Sequence, residues 1–182
     1  MASHQISLAI TSMTFMIPLS VAMALTSMTG QKMGKQDYAS VLRVSDMGRA
    51  VTLGLMLITS LILFFARYHI PQLFNTNPEI VHMSAALIVY SIFFQLPDGL
   101  QISANGILRG MKDTKVPMYL GIASYWLIAF PLCYYLGVVK NLEAPGVWMG
   151  LIAGLTMAAI FLNIRLWILS KKLPVNGNSA VA

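Results

Sequence analysis

Six carboxylates occur in the 182 residues: Asp37, Asp46, Glu79, Asp98, Asp113 and Glu143. Five stand in polar links or at the ends of apolar runs, and only Asp98 lies deep inside one, between Ile80 and Leu108. An acid in the hydrocarbon layer costs at least about 2.5–3.5 kcal/mol on insertion scales, and those that are kept there mark ion or proton paths. The alternative is an acid pinned to a basic partner for structure. Its neighbours favour the path. Projected at about 100° per residue, Ser91, Gln95, Asp98, Gln101, Asn105 and Arg109 share an arc of roughly 120° bordered by Tyr90 and Phe94. Ile92, Phe93, Leu96, Leu100 and Ile107 take the other side. A polar stripe with an acid at its middle reads as the wall of a hydrated cavity, where Gln95 and Gln101 offer neutral contacts to an ion at Asp98. Pro97 removes a backbone donor immediately before the acid. It is therefore a candidate hinge, and the carbonyl it frees can help ligate a cation.

Other residues carry less. Gln5 and Ser12 lie seven apart on the first apolar run and are expected to face the same cavity, although hydroxyls in membrane helices often bond their own backbone. Gly146, Gly150, Gly154 and Ala158 form a ridge of small residues that lets a neighbouring helix approach closely. Pro18 and Pro131 are expected to kink their helices. Tyr125, Trp126, Tyr134, Tyr135 and Trp148 read as interface anchors or packing residues. His4, His69 and His82 have no metal-ligand spacing, and the single Cys133 forms no disulfide framework. The turn from Gly30 to Lys35 lacks the ending of a phosphate loop, and no hydrolase or metalloprotease motif occurs. The expectation is a protein that is not an enzyme and holds no resident cofactor.

The elements that position these residues follow from composition. Hydrophobic residues make up 57% of the chain and charged residues 10%, against about 25% charged in soluble domains. Such a chain cannot cover a water-facing surface, which excludes a soluble enzyme, a nucleic-acid module and a disordered tail. The net charge of +6 sits in clusters between apolar runs, as in the loops of a membrane protein. A spanning helix needs roughly 20 apolar residues. The runs 6–28, 50–66, 80–108, 117–139 and 146–164 meet or approach that, so the fold class is all-α integral membrane with five transmembrane helices. The second is short, and Arg49 and Arg67 flank it with stems able to snorkel. Residues 173–182 are expected to form a flexible cytoplasmic tail. Ten of the twelve cations fall on one side of the implied membrane and two on the other. Positive residues stay cytoplasmic, which places the N-terminus outside and the C-terminus inside. Met1 to Gln5 has no cationic segment or cleavage site of a signal peptide, and an upstream portion is expected to be missing.

Longer stretches carry a resemblance. His4-Gln5-Ile6-Ser7-Leu8, then Phe15 to Ser20, then Gly30 to Asp37, resemble the second helix of a lobe and its following loop in the multidrug and toxic-compound extrusion (MATE) family, in its NorM branch. Gln95-Leu96-Pro97-Asp98-Gly99-Leu100-Gln101, running on to Gly106 to Asp113, resembles the fourth helix of the C-terminal lobe with its cytoplasmic loop. Ser124-Tyr125-Trp126 with Pro131, then Gly146 to Gly150, resemble its last two helices. The resemblance implies a twelve-helix, two-lobe fold in which residues 1–172 are a partial C-terminal lobe, helices eight to twelve. It implies antiport in a bacterial inner membrane, with cationic or amphipathic drugs and dyes exported against sodium ions or protons. The implied partners are membrane lipid and the missing N-terminal lobe, and nucleic acid is not among them. The family's cation-site aspartate falls on Asp98. A tyrosine found one turn earlier in some members is Phe94 here, and the glutamate of the seventh helix has no counterpart. The competing readings are a lipid-linked oligosaccharide flippase of related fold and a small membrane scaffold that uses the glycine ridge for assembly.

Overall fold

The structure, a computed structural model, describes residues 2–74 and 77–174. All regular structure among them is helical: α1 (Ala2–Gly34), α2 (Tyr38–Ala66), α3 (His69–Phe74), α4 (Pro78–Gly110), α5 (Lys115–Ala123), α6 (Phe130–Tyr134) and α7 (Glu143–Lys172). Two π-helical turns, Ser124–Ala129 and Tyr135–Val139, join α5 to α6 and extend α6. Five helical stretches are long and apolar enough to cross a membrane, and the chain is an all-α, multi-pass membrane protein.

The helices outrun the apolar runs. α2 begins at Tyr38 rather than Ala50, and α7 continues past Ile164 to Lys172. Hydropathy marks the part of a helix that needs lipid, not the point where backbone hydrogen bonding stops. Once a helix exists, Ser, Arg and Met extend it at little cost. The polar link expected over Thr29–Arg49 accordingly shrinks to a tight turn after Gly34, and Arg43 and Arg49 stand on α2. Asp37 caps α2 by accepting from the Ser40 amide at 3.2 Å. Asn77 caps α4 by accepting from the Glu79 amide at 3.0 Å, with Pro78 in the first turn. Gln36, Lys112 and Asn141 turn the links after α1, after α4 and before α7 with left-handed backbones, φ 56°, 64° and 51°.

The expected kinks resolve differently. α1 stays α-helical through Pro18 and α4 through Pro97. Around Pro131 the helix widens into the two π turns, which absorb the missing donor.

α4 is the central helix, packed by α1, α2 and α7. α1 runs parallel to it: Thr11 meets Ser91 near one end, and Ala22 meets Gly106 towards the other. A Cβ at Gly106 would stand 2.5 Å from the Ala22 carbonyl oxygen, so the two backbones touch. α7 lies parallel on another side of α4, with Leu162 and Leu166 packed among Leu25, Ala104, Ile107 and Leu108. At the opposite end Ile6, Ile10, Leu63 and Ile88 form a second cluster. The ridge on α7 receives the fourth span: Gly146 faces the Leu136 backbone, Gly150 faces Cys133 and Gly154 faces Ala129. α1, α4 and α7 end where α2 and α5 begin, which gathers ten of the twelve cations at one end of the bundle. There Arg165 of α7 donates to Asp113, just after α4, at 2.7 Å.

Candidate functional site

A cleft of about 420 Å³ opens between α1 and α4. Its floor is the close crossing at Gly106, where the Thr26 hydroxyl lies within hydrogen-bonding reach of the Ala22 and Gly106 carbonyls, 2.8 and 2.9 Å away. α4 supplies one wall with Phe94, Asp98, Gln101, Asn105 and Arg109. α1 supplies the facing wall with Phe15, Leu19 and Met23, and Tyr125 and Leu155 enter from the fourth and fifth spans.

Asp98 is 6% exposed, and that exposure is to the cleft. Among the described residues no hydrogen-bond donor or cation pairs with its carboxylate. A buried carboxylate normally has such partners; this one has none among the described residues and meets only the cleft. Gln101, one turn on, accepts from the Tyr125 hydroxyl at 3.3 Å. Phe94 packs edge-on against Trp148, with centroids 6.2 Å apart, and its ring offers the cleft no oxygen atom. Arg109 is exposed and lines the same cleft. The cleft thus carries an acid, neutral amides and a base along one helix, facing an apolar wall.

The polar stripe divides. Its lower part, from Asp98 to Arg109, lines the cleft, while Ser91 and Gln95 turn into helix contacts. Ser91 is fully buried and accepts from Thr11 of α1 at 2.9 Å. Gln95, 3% exposed, accepts from Thr59 of α2 at 2.6 Å, and its amide nitrogen has no acceptor among the described residues. A helical wheel treats the arc as one face, but α1 closes over its upper half and α2 over its edge. Gln5 and Ser12 are exposed and do not line the cleft. α1 presents an apolar face to it instead.

Tyr125 is the residue that spacing did not single out. It lies in the first π turn, where the register departs from 100° per residue, so no wheel would place it opposite Gln101. The signal available was Pro131, six residues on. Pro97 lies away from the cleft, in an apolar groove with Leu96, Leu100 and the α7 residues Ile152 and Asn163. No group of three or more His, Cys, Asp or Glu residues suited to a metal occurs among the described residues.

Known proteins resemble this chain in sequence and in fold. The MatE family pattern matches residues 1–135. The probable multidrug resistance protein NorM of Acinetobacter baylyi is 38% identical over 166 residues, covering 91% of this chain and 37% of that protein. The multidrug resistance protein PmpM of Pseudomonas aeruginosa is 37% identical over 169 residues, covering 91% of this chain and 35% of that protein. The crystal structure of the eukaryotic MATE transporter AtDTX14 superposes with a TM-score of 0.86 at 19% identity, over 94% of this chain and 40% of that one. An inward-facing multidrug resistance MATE transporter of the MOP superfamily gives 0.81 at 18% identity, over 96% and 40%. The chain therefore spans little more than a third of the length of these bacterial relatives. Matched by the family pattern over most of its length and by solved MATE folds over nearly all of it, the chain belongs to the MATE family.

Proposed function

We propose that this chain is part of a secondary active multidrug efflux transporter, and that Asp98 exchanges the coupling ion for drug. The observation that carries this reading is the Asp98 carboxylate: nine-tenths buried within an apolar span, unpaired among the described residues, and open to a cleft of about 420 Å³. In such a setting the carboxylate binds a proton or a sodium ion to offset its desolvation. A cationic or amphipathic drug competes for the same charge while its apolar body lies on Phe15, Leu19 and Met23. Gln101 and Asn105 add neutral polar contacts, and Pro97 lets α4 bend between states. Sites of this kind lie between repeats that rock against each other, so a complete pump needs the other lobe. The proposed orientation puts the cationic end of the bundle in the cytoplasm, with the five spans as helices eight to twelve of the family fold.

The test is a chimera in which this chain replaces the matching segment of a full-length NorM relative, assayed for ethidium efflux with native pumps deleted. Asp98→Asn keeps shape and hydrogen bonding but removes the titratable charge. Efflux driven by an ion gradient should be lost while membrane expression stays close to parental. Parental efflux with unchanged ion dependence would make Asp98 structural and end this reading.

A further inference from the structure

At the cationic end, α2 and α7 leave between them a groove of about 430 Å³ that shares no residue with the Asp98 cleft. Leu42, Asp46 and Arg49 line it from α2, and Trp167, Ser170 and Lys171 from α7. The apolar run of α2 starts at Ala50 and that of α7 ends at Ile164, so the lining residues stand just beyond hydrocarbon on both helices. That is headgroup depth, where Trp is enriched. Trp167 is 58% exposed, and the Lys171 ammonium sits 3.7 Å from its ring centroid.

Arg49 is pre-oriented. Its Nε donates to the Ser45 carbonyl and its Nη1 to Asn163 Oδ1, both at 3.4 Å. Its Nη2 donates to Asp46, whose side chain is 72% exposed. The free edge of a fixed guanidinium is therefore occupied by a surface carboxylate, and such pairs are weak and exchangeable. Arg49 and Lys171 against Asp46 leave the groove net positive. The Ser170 hydroxyl donates to the Leu166 carbonyl at 2.8 Å, so its oxygen faces outward as an acceptor.

We infer that this groove binds the phosphate of an anionic phospholipid of the phosphatidylglycerol class. Arg49 and Lys171 take the phosphate oxygens from two different helices, and the phosphate displaces Asp46 from Nη2. The Trp167 ring and Leu42 lie along the glycerol backbone and the first acyl methylenes. Ser170 accepts from a headgroup hydroxyl, whereas a choline or ethanolamine cation would meet Lys171. The inference is independent of the efflux reading, since it uses no residue of the cleft.

The test uses the full chain in phosphatidylcholine nanodiscs, with Trp126→Phe to reduce quenching at the other exposed indole. Trp167 fluorescence is then quenched by dibrominated phosphatidylglycerol or dibrominated phosphatidylcholine at equal mole fraction. Phosphatidylglycerol should quench at several-fold lower mole fraction. Lys171→Gln should cut that preference about fivefold, the worth of one cation beside an anionic headgroup. Lys35→Gln, a cation at the same end but outside the groove, should leave it unchanged, and Asp46→Asn should strengthen it. Equal quenching by the two lipids would overturn the site. So would a preference indifferent to Lys171→Gln and Asp46→Asn, or one that Lys35→Gln lowers equally. Inorganic phosphate at millimolar concentration should not compete, and full competition would assign the groove to free phosphate instead of lipid.

Discussion

The side-chain amide of Asn163 donates to the Leu100 carbonyl at 3.3 Å, two residues past Asp98, while its oxygen accepts from Arg49 at 3.4 Å. One residue of α7 thereby holds α2 and α4 at the level where the cleft begins. The same amide nitrogen also donates to the Ala159 carbonyl of its own helix at 2.8 Å, which fixes its direction.

Asn163→Leu keeps the volume and removes both interhelical bonds. Interhelical polar bonds in membranes are each worth on average about 0.6 kcal/mol and at most about 1.7, so a loss of about 1.2 kcal/mol is expected for the two together. Denaturant-induced unfolding of the chain in mixed micelles measures it. Asn163→Asp, which can still accept from Arg49 but cannot donate to Leu100 once ionised, should separate the two contributions.

Two glycines should respond in opposite ways to alanine. At Gly106 the new methyl would stand 2.5 Å from the Ala22 oxygen, and backbone must move. Overpacking of that kind costs about 1–3 kcal/mol. At Gly54 nothing lies within 4 Å, and the gain in helix propensity, up to about 1 kcal/mol, should appear uncancelled. Equal effects at the two sites would show that α1 and α4 do not cross at Gly106.

Asp37 lies in the turn between α1 and α2, and its carboxyl is held below the usual 3.8 by the Ser40 hydroxyl and amide, with Lys32 adding attraction. A carboxyl depressed on folding stabilises the fold above its unfolded-state pKa, and that contribution fades as pH falls through the folded-state value. Asp37→Ala should therefore be less stable than the parent at pH 7. The gap should narrow below about pH 4, the range where an unperturbed aspartate protonates. A gap constant from pH 7 to pH 3 would assign the effect to helix propensity alone.

Orientation is testable in whole cells. In a Cys133→Ser background, a cysteine at Asn141 should react with a membrane-impermeant maleimide. One at Thr114 should react only after permeabilisation. The reverse pattern would invert the proposed topology and place the cationic end outside.

A left-handed residue other than glycine costs roughly 1–2 kcal/mol, and Gln36 has φ 56° in the α1–α2 turn. Gln36→Gly should relieve part of that cost. Its measure is a rise in unfolding midpoint without a change in helix content.

The number of spans, their order, the clustering of cations at one end and the isolation of Asp98 in an apolar run were all legible in the residues. Each depends on what water or hydrocarbon tolerates at a position, a local property that composition and charge record directly. Where helices stop was not legible, because backbone hydrogen bonding continues from Ala50 back to Tyr38 through residues that lipid does not require. Nor could the stripe on α4 show by itself where the cleft lies. Ser91 and Gln95 share an arc with Asp98, yet Thr11 and Thr59 cover the first two and leave the third open. Which polar groups are spent on neighbouring helices and which remain for a ligand depends on crossings between segments some 80 residues apart in sequence. Tyr125 reaches Gln101 only through a π turn, a register shift that a fixed angle per residue does not describe. Only the folded bundle selects the face of α1 that completes the cleft, because helix directions, close glycine contacts and side-chain volumes must all be satisfied together.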